Sequence, residues 1–502
     1  MLPFLTARPR AAHPNILTAG PAAGWLAAVL AWPALVLAAP LAITDPGQGV
    51  YDFTAEASEL SGLTWMAGNT YHAISDEAGS RKVHQLEIAL DPATGRVLSA
   101  AVADASILAA GHDLEGIAFC RPRREWWIAD EGQYPAGGSL RGHSLPDGNL
   151  LRELAVPSVL LNNRPNFGFE SCSWGAGALW TANEEALAHE SNLSTATAGT
   201  VVRLQRFDYR FEASGQWAYQ TDSFGYDSPL ATAERSGVCD LVALPDGTLL
   251  VLERALGSGL LPSFRNRIYR VEFGGATDVG GIPDLDDTVH TRVGKSLLWE
   301  RNMASVTTRN FEGITLGPPL PGISPTSHSL LLVADNGGGS QQHLYALVLH
   351  GLEPPPPLGR WRQCFWGAPA ATGPAGDLAD PDGDGIVNLC EYALGGNPLV
   401  ASATPLPQLE RRDESLALTF TRYPEHTDII LTVQAAADPA GPWSDLAHST
   451  HGGPMTASTP GTEVVEAGNE LARVVTVRSH LAPDPSVPPR HFLRLKVRTE
   501  SS

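Results

Sequence analysis

Residues 112–119 read HDLEGIAF and residues 309–316 read RNFEGITL. A chain that writes a glutamate against a glycine ahead of an apolar run in two distant places is built from repeats, and repeats restrict the fold before any local reading does. Three further segments align with these two: SGLTW at 61–65, ESCSW at 170–174 and DLVAL at 240–244. After each comes a turn and a second apolar run with acidic or amide residues at its end, namely YHAISDE (71–77), WWIADE (126–131), LWTANEE (179–185), LLVLER (249–254) and LLLVADN (330–336). Third runs follow, such as KVHQLEIAL, TVVRLQRFD and HLYALVL. The unit is a small antiparallel meander recurring about every 55 to 70 residues, and one such sheet cannot bury both faces alone. Radial packing of several gives a β-propeller. Five units are visible, and a sixth assembled from segments such as 146–162 or 276–300 makes six blades the expectation.

Composition agrees with an all-β chain. Gly 50 and Pro 40 among 502 residues supply tight turns, and only 18% of residues are charged. A formal charge of −20 excludes nucleic-acid and anionic-membrane partners as expectations and suits cation binding. The start carries Arg8, Arg10 and the run PAAGWLAAVLAWPALVLAA, ending at Ala38. This is the grammar of an export signal over 1–38, with an uncleaved anchor as the alternative that Pro33 disfavours. A secreted or periplasmic monomer without a membrane span in the mature chain is expected. Cys120, Cys172 and Cys239 lie in apolar strand patterns and read as buried small hydrophobes, whereas Cys364 and Cys390 flank one short module and could be bridged.

In an antiparallel pair the start of the first strand and the end of the second lie at one edge. Glu115 should therefore share a rim with Asp130, Glu170 with Asn183 and Glu184, Asp240 with Glu253, and Glu312 with Asp335. First strands line the channel of a propeller, so these groups should ring one mouth. Two like charges about 4 Å apart repel by about 4 kcal/mol at an effective dielectric of 20, so a ring of carboxylates needs neutralising. Calcium suits hard oxygen ligands, and Arg254, Arg81 or Lys82 could pair with other ring members. The alternative is that each acid caps its own blade through backbone N–H groups. His112, His143 and His343 fall near turns, where they could ligate metal or be ordinary polar residues.

The phrases DLEGIAF, NFGFESCSW with LWTANEE, LLVLER, and NFEGITL with LLLVADN resemble the phytase-like family, which carries an esterase-like activity of phytase. The resemblance covers about Ser58 to Leu349 and places a propeller over 45–352. It implies calcium-assisted hydrolysis of a small-molecule phosphate ester, with Glu115, Glu170 and Glu312 in the site and Arg254 stabilising developing charge. Asp130, Glu184, Asp240, Glu253 and Asp335 would complete the calcium site at the mouth. The runner-up is a non-catalytic, calcium-stabilised propeller that binds or adheres. Serine-hydrolase, zincin, P-loop and histidine-phosphatase signatures are missing from the chain.

After Leu349 the texture changes. GLEPPPPLGRW and GAPAATGPAG read as a linker over 353–376. DPDGDGIVNLCE then fills a calcium loop: Asp380, Asp382 and Asp384 at positions 1, 3 and 5, Gly385 at the turn, the Ile386 carbonyl at 7, Asn388 at 9 and Glu391 at 12. The segment 377–400 resembles the EF-hand-like repeats of secreted bacterial proteins and reads as a structural joint. The alternation in 405–498 reads as a small β-sandwich without assigned chemistry.

Overall fold

The computed structural model describes residues 40–502 apart from 55–56, 58, 78, 133–136, 196, 226–232, 259–262, 287, 304–309, 403–405, 413–414, 481–491 and 501–502. The expected export signal at 1–38 lies outside the described residues. The rest is an all-β chain with short helices inserted.

Strands β1 (Ala42–Thr44) and β2 (Val50–Thr54) lead into four meanders. The first is β3 (Leu60–Ala67), β4 (Thr70–Ser75), β5 (Lys82–Leu90) and β6 (Val97–Ile107). The second is β7 (Leu114–Cys120), β8 (Glu125–Asp130), β9 (Ser139–Ser144) and β10 (Leu150–Glu153). The third is β11 (Ser173–Gly175), β12 (Ala178–Ala182), β13 (Val201–Phe207) and β14 (Ala213–Gln220), and the fourth is β15 (Ala233–Ala243), β16 (Leu249–Ser258), β17 (Ser263–Glu272) and β18 (Gly294–Met303). The fifth sheet joins β19 (Asn310–Pro319), β20 (His328–Asp335) and β21 (Gln341–His350) to β1 and β2, which both pair with β21. Segments 146–162 and 276–300, expected to build a sixth blade, instead supply the outer strands β10 and β18 of the second and fourth sheets.

In the first and second sheets the outer strand is the most exposed. Strand β3 and strand β8 are buried along almost their whole length, whereas β6 and β10 expose Leu98, Ile107, Leu150 and Leu151 at a sheet edge. First strands touch one another in succession. The Phe119 N–H donates to Thr64 Oγ1 at 3.2 Å, Ala243 N–H to Ser173 Oγ at 2.9 Å, Ile314 N–H to Asp240 Oδ2 at 2.8 Å and Trp65 N–H to Thr315 Oγ1 at 3.1 Å. Between β7 and β11 the approach is close: a Cβ on Gly116 would lie 2.4 Å from the Cys172 nitrogen. One on Gly313 would lie 2.3 Å from the Ser61 carbonyl oxygen, and one on Gly62 2.9 Å from that of Glu115. The repeated glycine exists to let neighbouring first strands come this near.

The expected proline linker is replaced in part by a helix, α1 (Pro357–Trp366). Proline at the first helical position has no N–H to leave unpaired, and Leu358, Trp361, Cys364 and Phe365 form a buried stripe at helical spacing. That stripe shares a core with Trp127 and Phe211 of the meanders and with Tyr392 of α2 (Asn388–Leu394). Cys364 therefore sits 3.5 Å, sulfur to sulfur, from Cys120 rather than at Cys390, and all the cysteines are free thiols. Beyond α2, strands β22 (Gln408–Arg412), β23 (Ser415–Arg422), β24 (Ile429–Ala436), β25 (Ser444–Ser449), β26 (Thr456–Ala457), β27 (Glu463–Gly468), β28 (Arg473–His480) and β29 (Phe492–Thr499) form two four-stranded sheets. Phe420 and Val475 of one and Leu431 and Val433 of the other share that same core.

Candidate functional site

The rim at the starts of the first strands has a fivefold pattern once the ladders are aligned. Backbone pairing sets Glu59 opposite Asp76, Asp113 opposite Glu131, Gly168 opposite Glu184, Gly237 opposite Arg254 and Asn310 opposite Asp335. Two residues further on, each first strand presents Ser61, Glu115, Glu170, Cys239 or Glu312. In the second and fifth sheets the ladder skips Glu115 and Glu312, which are thus bulged residues. A bulge re-aims its side chain, and here it turns a glutamate into the shared rim.

Adjacent strand residues face opposite ways, so a slip of one decides which acid reaches the rim. The sequence reading selected Asp130, Asp240 and Glu253, and all three point elsewhere. Asp130 accepts N–H bonds from His112, Asp113 and Gly132 at 2.9–3.0 Å and pairs with Arg141 at 2.5 Å, so it braces its own turn. Glu253 accepts the Tyr219 hydroxyl at 2.5 Å, Lys295 Nζ at 2.7 Å and the Asp222 N–H at 2.9 Å. In the fourth sheet the skipped residue is Cys239, so Asp240 occupies the place of the repeated glycine and accepts the N–H groups of Ile314 and Leu241 at 2.8 Å. The residues that follow Asp130 and Glu253 in the chain, Glu131 and Arg254, face the rim instead. The sequence reading omits Asp76, Asp113 and Glu131, although Asp76 is the last residue but one of the quoted phrase YHAISDE and Glu131 closes WWIADE.

The carboxylates brought together are Asp76, Asp113, Glu115, Glu131, Glu170, Glu184, Glu312 and Asp335, with Arg254 among them. Arg254 donates through Nη2 to Glu184 Oε1 at 2.6 Å, through Nη1 to Asn310 Oδ1 at 2.6 Å, and through Nη1 to Glu312 Oε1. Its charge is therefore committed to holding two acids. Glu115 is fixed by Ser61, whose Oγ donates to its Oε2 at 2.8 Å. Burial, then Glu312 and Asp335, pushes Asp76 up to about 8. Burial also drives Glu131 and Glu312 up to about 7, partly opposed by the Gly168 N–H in the first and by Arg254 in the second. Glu115 and Glu170 are raised by burial and then by neighbouring carboxylates. Protons are thus bound where charge is crowded.

Two groups of three carboxylates offer oxygens within 4.8 Å of one another: Asp76 with Glu312 and Asp335, and Asp113 with Glu115 and Glu131. Asp76 Oδ1 and Glu312 Oε2 are buried without a hydrogen-bond partner. Oxygen-only donors with orphaned buried atoms fit a hard divalent cation such as calcium. The remaining predicted ligands behave differently. His143 is wholly buried with Nδ1 3.0 Å from the Gly148 carbonyl, and His343 pairs with Asp52 at 2.7 Å.

At the second acidic place, Asp380, Asp382 and Asp384 also converge within 4.8 Å. Asp380 accepts the Gly383 and Gly385 N–H groups at 3.0 Å, and Gly385 takes a φ of +90° that suits only glycine. Glu391, from α2, faces the three aspartates, and burial followed by their charges raises it to about 8. Asp382 Oδ2, Glu391 Oε2 and Asn388 Oδ1 are buried without partners, which again fits a cation.

A family model described as phytase-like, esterase-like activity of phytase, matches residues 56–338, more than half of the chain. No curated protein matches. Similar solved structures include hydrazine synthase from Kuenenia stuttgartiensis (11% identity, TM-score 0.25), covering 56% of this chain and 58% of that one. A Dos1 propeller is 9% identical over 59% of this chain and 68% of its own, at a TM-score of 0.25. A member of the duf4221 family from Bacteroides vulgatus is 8% identical over 62% and 98%, at a TM-score of 0.31. Scores this low carry no argument about fold or activity. Among the described residues no helix is long and apolar enough to cross a membrane.

Proposed function

The chain belongs to the phytase-like family, and from that premise we propose that it hydrolyses phosphate esters with calcium at the acidic rim. The observation that carries this reading is the pair of orphaned buried oxygens, Asp76 Oδ1 and Glu312 Oε2, inside a group of three carboxylates. In this reading the five meanders close as a five-bladed propeller, each first strand against the next. Asp76, Glu312 and Asp335 hold one cation, and Asp113, Glu115 and Glu131 hold a second. Calcium, when bound, neutralises the rim and polarises the phosphoryl oxygens.

The protein's own groups do the rest. Glu115, fixed by Ser61, orients the attacking water. Glu170 beside it, in its ionised form, accepts the water's proton as the new P–O bond forms and the ester P–O bond breaks, and the departing alcohol oxygen takes a proton from solvent. Arg254 keeps Glu184 and Glu312 in place, a positioning role in place of the charge-stabilising one expected from the sequence. The fourth sheet presents Cys239 and Arg254 and no acid at these positions, whereas the first, second and fifth sheets supply both groups of three carboxylates. The same reading keeps 1–38 as an export signal, 377–400 as an EF-hand-like calcium joint, 405–498 as a non-catalytic β-sandwich and the chain as a monomer.

The test is release of phosphate from phytate and an aryl phosphate, and of phenol from an aryl ester, with calcium and with chelator. Calcium-dependent phosphate release supports the hydrolase. No turnover on any of the three, with a calcium-dependent rise in Tm, would replace it by a calcium-stabilised binding protein.

A further inference from the structure

The same first strands end, away from the acids, on a cavity of about 690 Å³ lined by Trp65, Phe119 and Trp174 on one side and by Pro355, Trp361 and Tyr423 on the other. It lies between the meanders and the segment from α1 onward, and its size falls within the range of small-molecule sites.

Three arginines reach this cavity. Arg121 pairs with Glu425 at 3.0 Å and covers the Trp65 ring at 4.6 Å. Arg124 stands over the Tyr423 ring at 5.4 Å. Arg360, from α1, has no hydrogen-bonded acceptor for its guanidinium and no ion pair among the described residues, and its Nε is buried without a partner. Burial and then Arg121 lower its proton affinity, partly opposed by the nearby charges of Glu425 and Asp428, neither of which bonds to it. The other acid of the lining, Glu470, is engaged by Arg473 at 2.5 Å. His426 adds a buried, unpartnered Nδ1, and burial lowers it to about 3, so it is neutral.

We propose that this cavity is a second binding site, for a small organic anion whose carboxylate, sulfonate or phosphate group pairs with Arg360 and whose apolar body lies against Trp65 and Trp361. A half-buried guanidinium whose N–H groups meet no acceptor is an unfavourable arrangement, and a bound anion supplies the missing acceptors. The tryptophan and proline walls ask for an apolar body on that anion. The site is independent of the acidic rim, which repels anions in the absence of metal.

The test is calorimetric titration of the chelator-treated full chain with naphthalene-2-sulfonate, which contains no hydrolysable ester, and with naphthalene-2-methanol as its neutral counterpart. One sulfonate should bind per chain, the alcohol should bind more weakly, and Arg360→Met should raise the sulfonate Kd by about tenfold or more. Arg360→Lys keeps the charge and should lose less, which covers the case of a poorly folded methionine variant. Failure of the wild type to bind sulfonate overturns the proposal. So does equal affinity in wild type, Arg360→Met and Arg360→Lys.

Discussion

Glu253 and Glu312 are both buried glutamates at the rim end of their sheets, yet the register separates them, and replacing each by glutamine should have opposite consequences. Glu253 is 0% exposed, and Tyr219, Lys295 and the Asp222 N–H occupy both of its oxygens. Glutamine keeps the shape but substitutes an NH2 for one oxygen, so one donor must face another donor, at a cost of about 1–3 kcal/mol. Lys295 also loses a partner, although Asp222 Oδ1 at 2.8 Å still compensates it, which keeps the total near the low end for a broken buried pair. We expect Glu253→Gln to lose about 2–3 kcal/mol of unfolding free energy in chelator and to leave calcium affinity unchanged. In Glu312→Gln the lost carboxylate was repelling Asp76 and Asp335, and removing it relieves that repulsion even as its bond from Arg254 weakens. Its metal-free stability should stay within about 1 kcal/mol of wild type while calcium affinity falls about tenfold or more. Urea unfolding in chelator and calorimetric calcium titration read the two quantities separately. If Glu253→Gln weakened calcium as much as Glu312→Gln, the register-based division of the acids would be wrong.

Three other expectations follow from single contacts. His72 accepts the Trp126 indole N–H at 2.9 Å and is lowered by burial to about 4, so it is neutral in the fold. Its stabilisation is present above the unfolded value of 6.5 and is lost as pH falls through 4, up to about 3 kcal/mol, and the acid limb of unfolding should be shallower in His72→Gln. Cys120 and Cys364, 3.5 Å apart, should lose two thiols together when an oxidant such as a small-molecule disulfide takes up their two electrons during refolding. A thiol count that stays at five, or a Cys364–Cys390 peptide by mass spectrometry, would refute that pairing. Gly116→Ala should destabilise by about 1–3 kcal/mol because its Cβ would meet the Cys172 nitrogen at 2.4 Å, and a neutral effect in thermal unfolding would contradict that approach of β7 to β11.

The meanders were legible in the sequence because each apolar run is short, ends in a turn and recurs. The convergence of Glu115, Glu170 and Glu312 was legible for the same reason. What sequence alone could not supply was the register. Pattern alignment put Asp240 level with Glu115, yet the ladder skips Cys239 and not Asp240, so one residue of offset turned a rim acid into a backbone brace. The same single step separates Asp130 from Glu131 and Glu253 from Arg254. Helix α1 was hidden by its prolines, which suggest extended chain until Leu358, Trp361 and Phe365 are read as one buried face.

That offset also bears on how the rim can work. If every sheet had delivered two acids, the charge would be symmetric and no cation position would be preferred over another. The fourth sheet breaks the symmetry: Gly237, Cys239 and Arg254 stand where the second sheet has Asp113, Glu115 and Glu131. Arg254 draws Glu184 and Glu312 toward itself, and the side of Glu312 it does not reach, Oε2, is the atom left bare. Arg254→Met should therefore free both acids and let calcium bind in more than one position. The expected result is a rise in the number of calcium ions bound per chain together with loss of phosphate release, whereas unchanged stoichiometry with unchanged turnover would show that the arginine has no part in placing the cation.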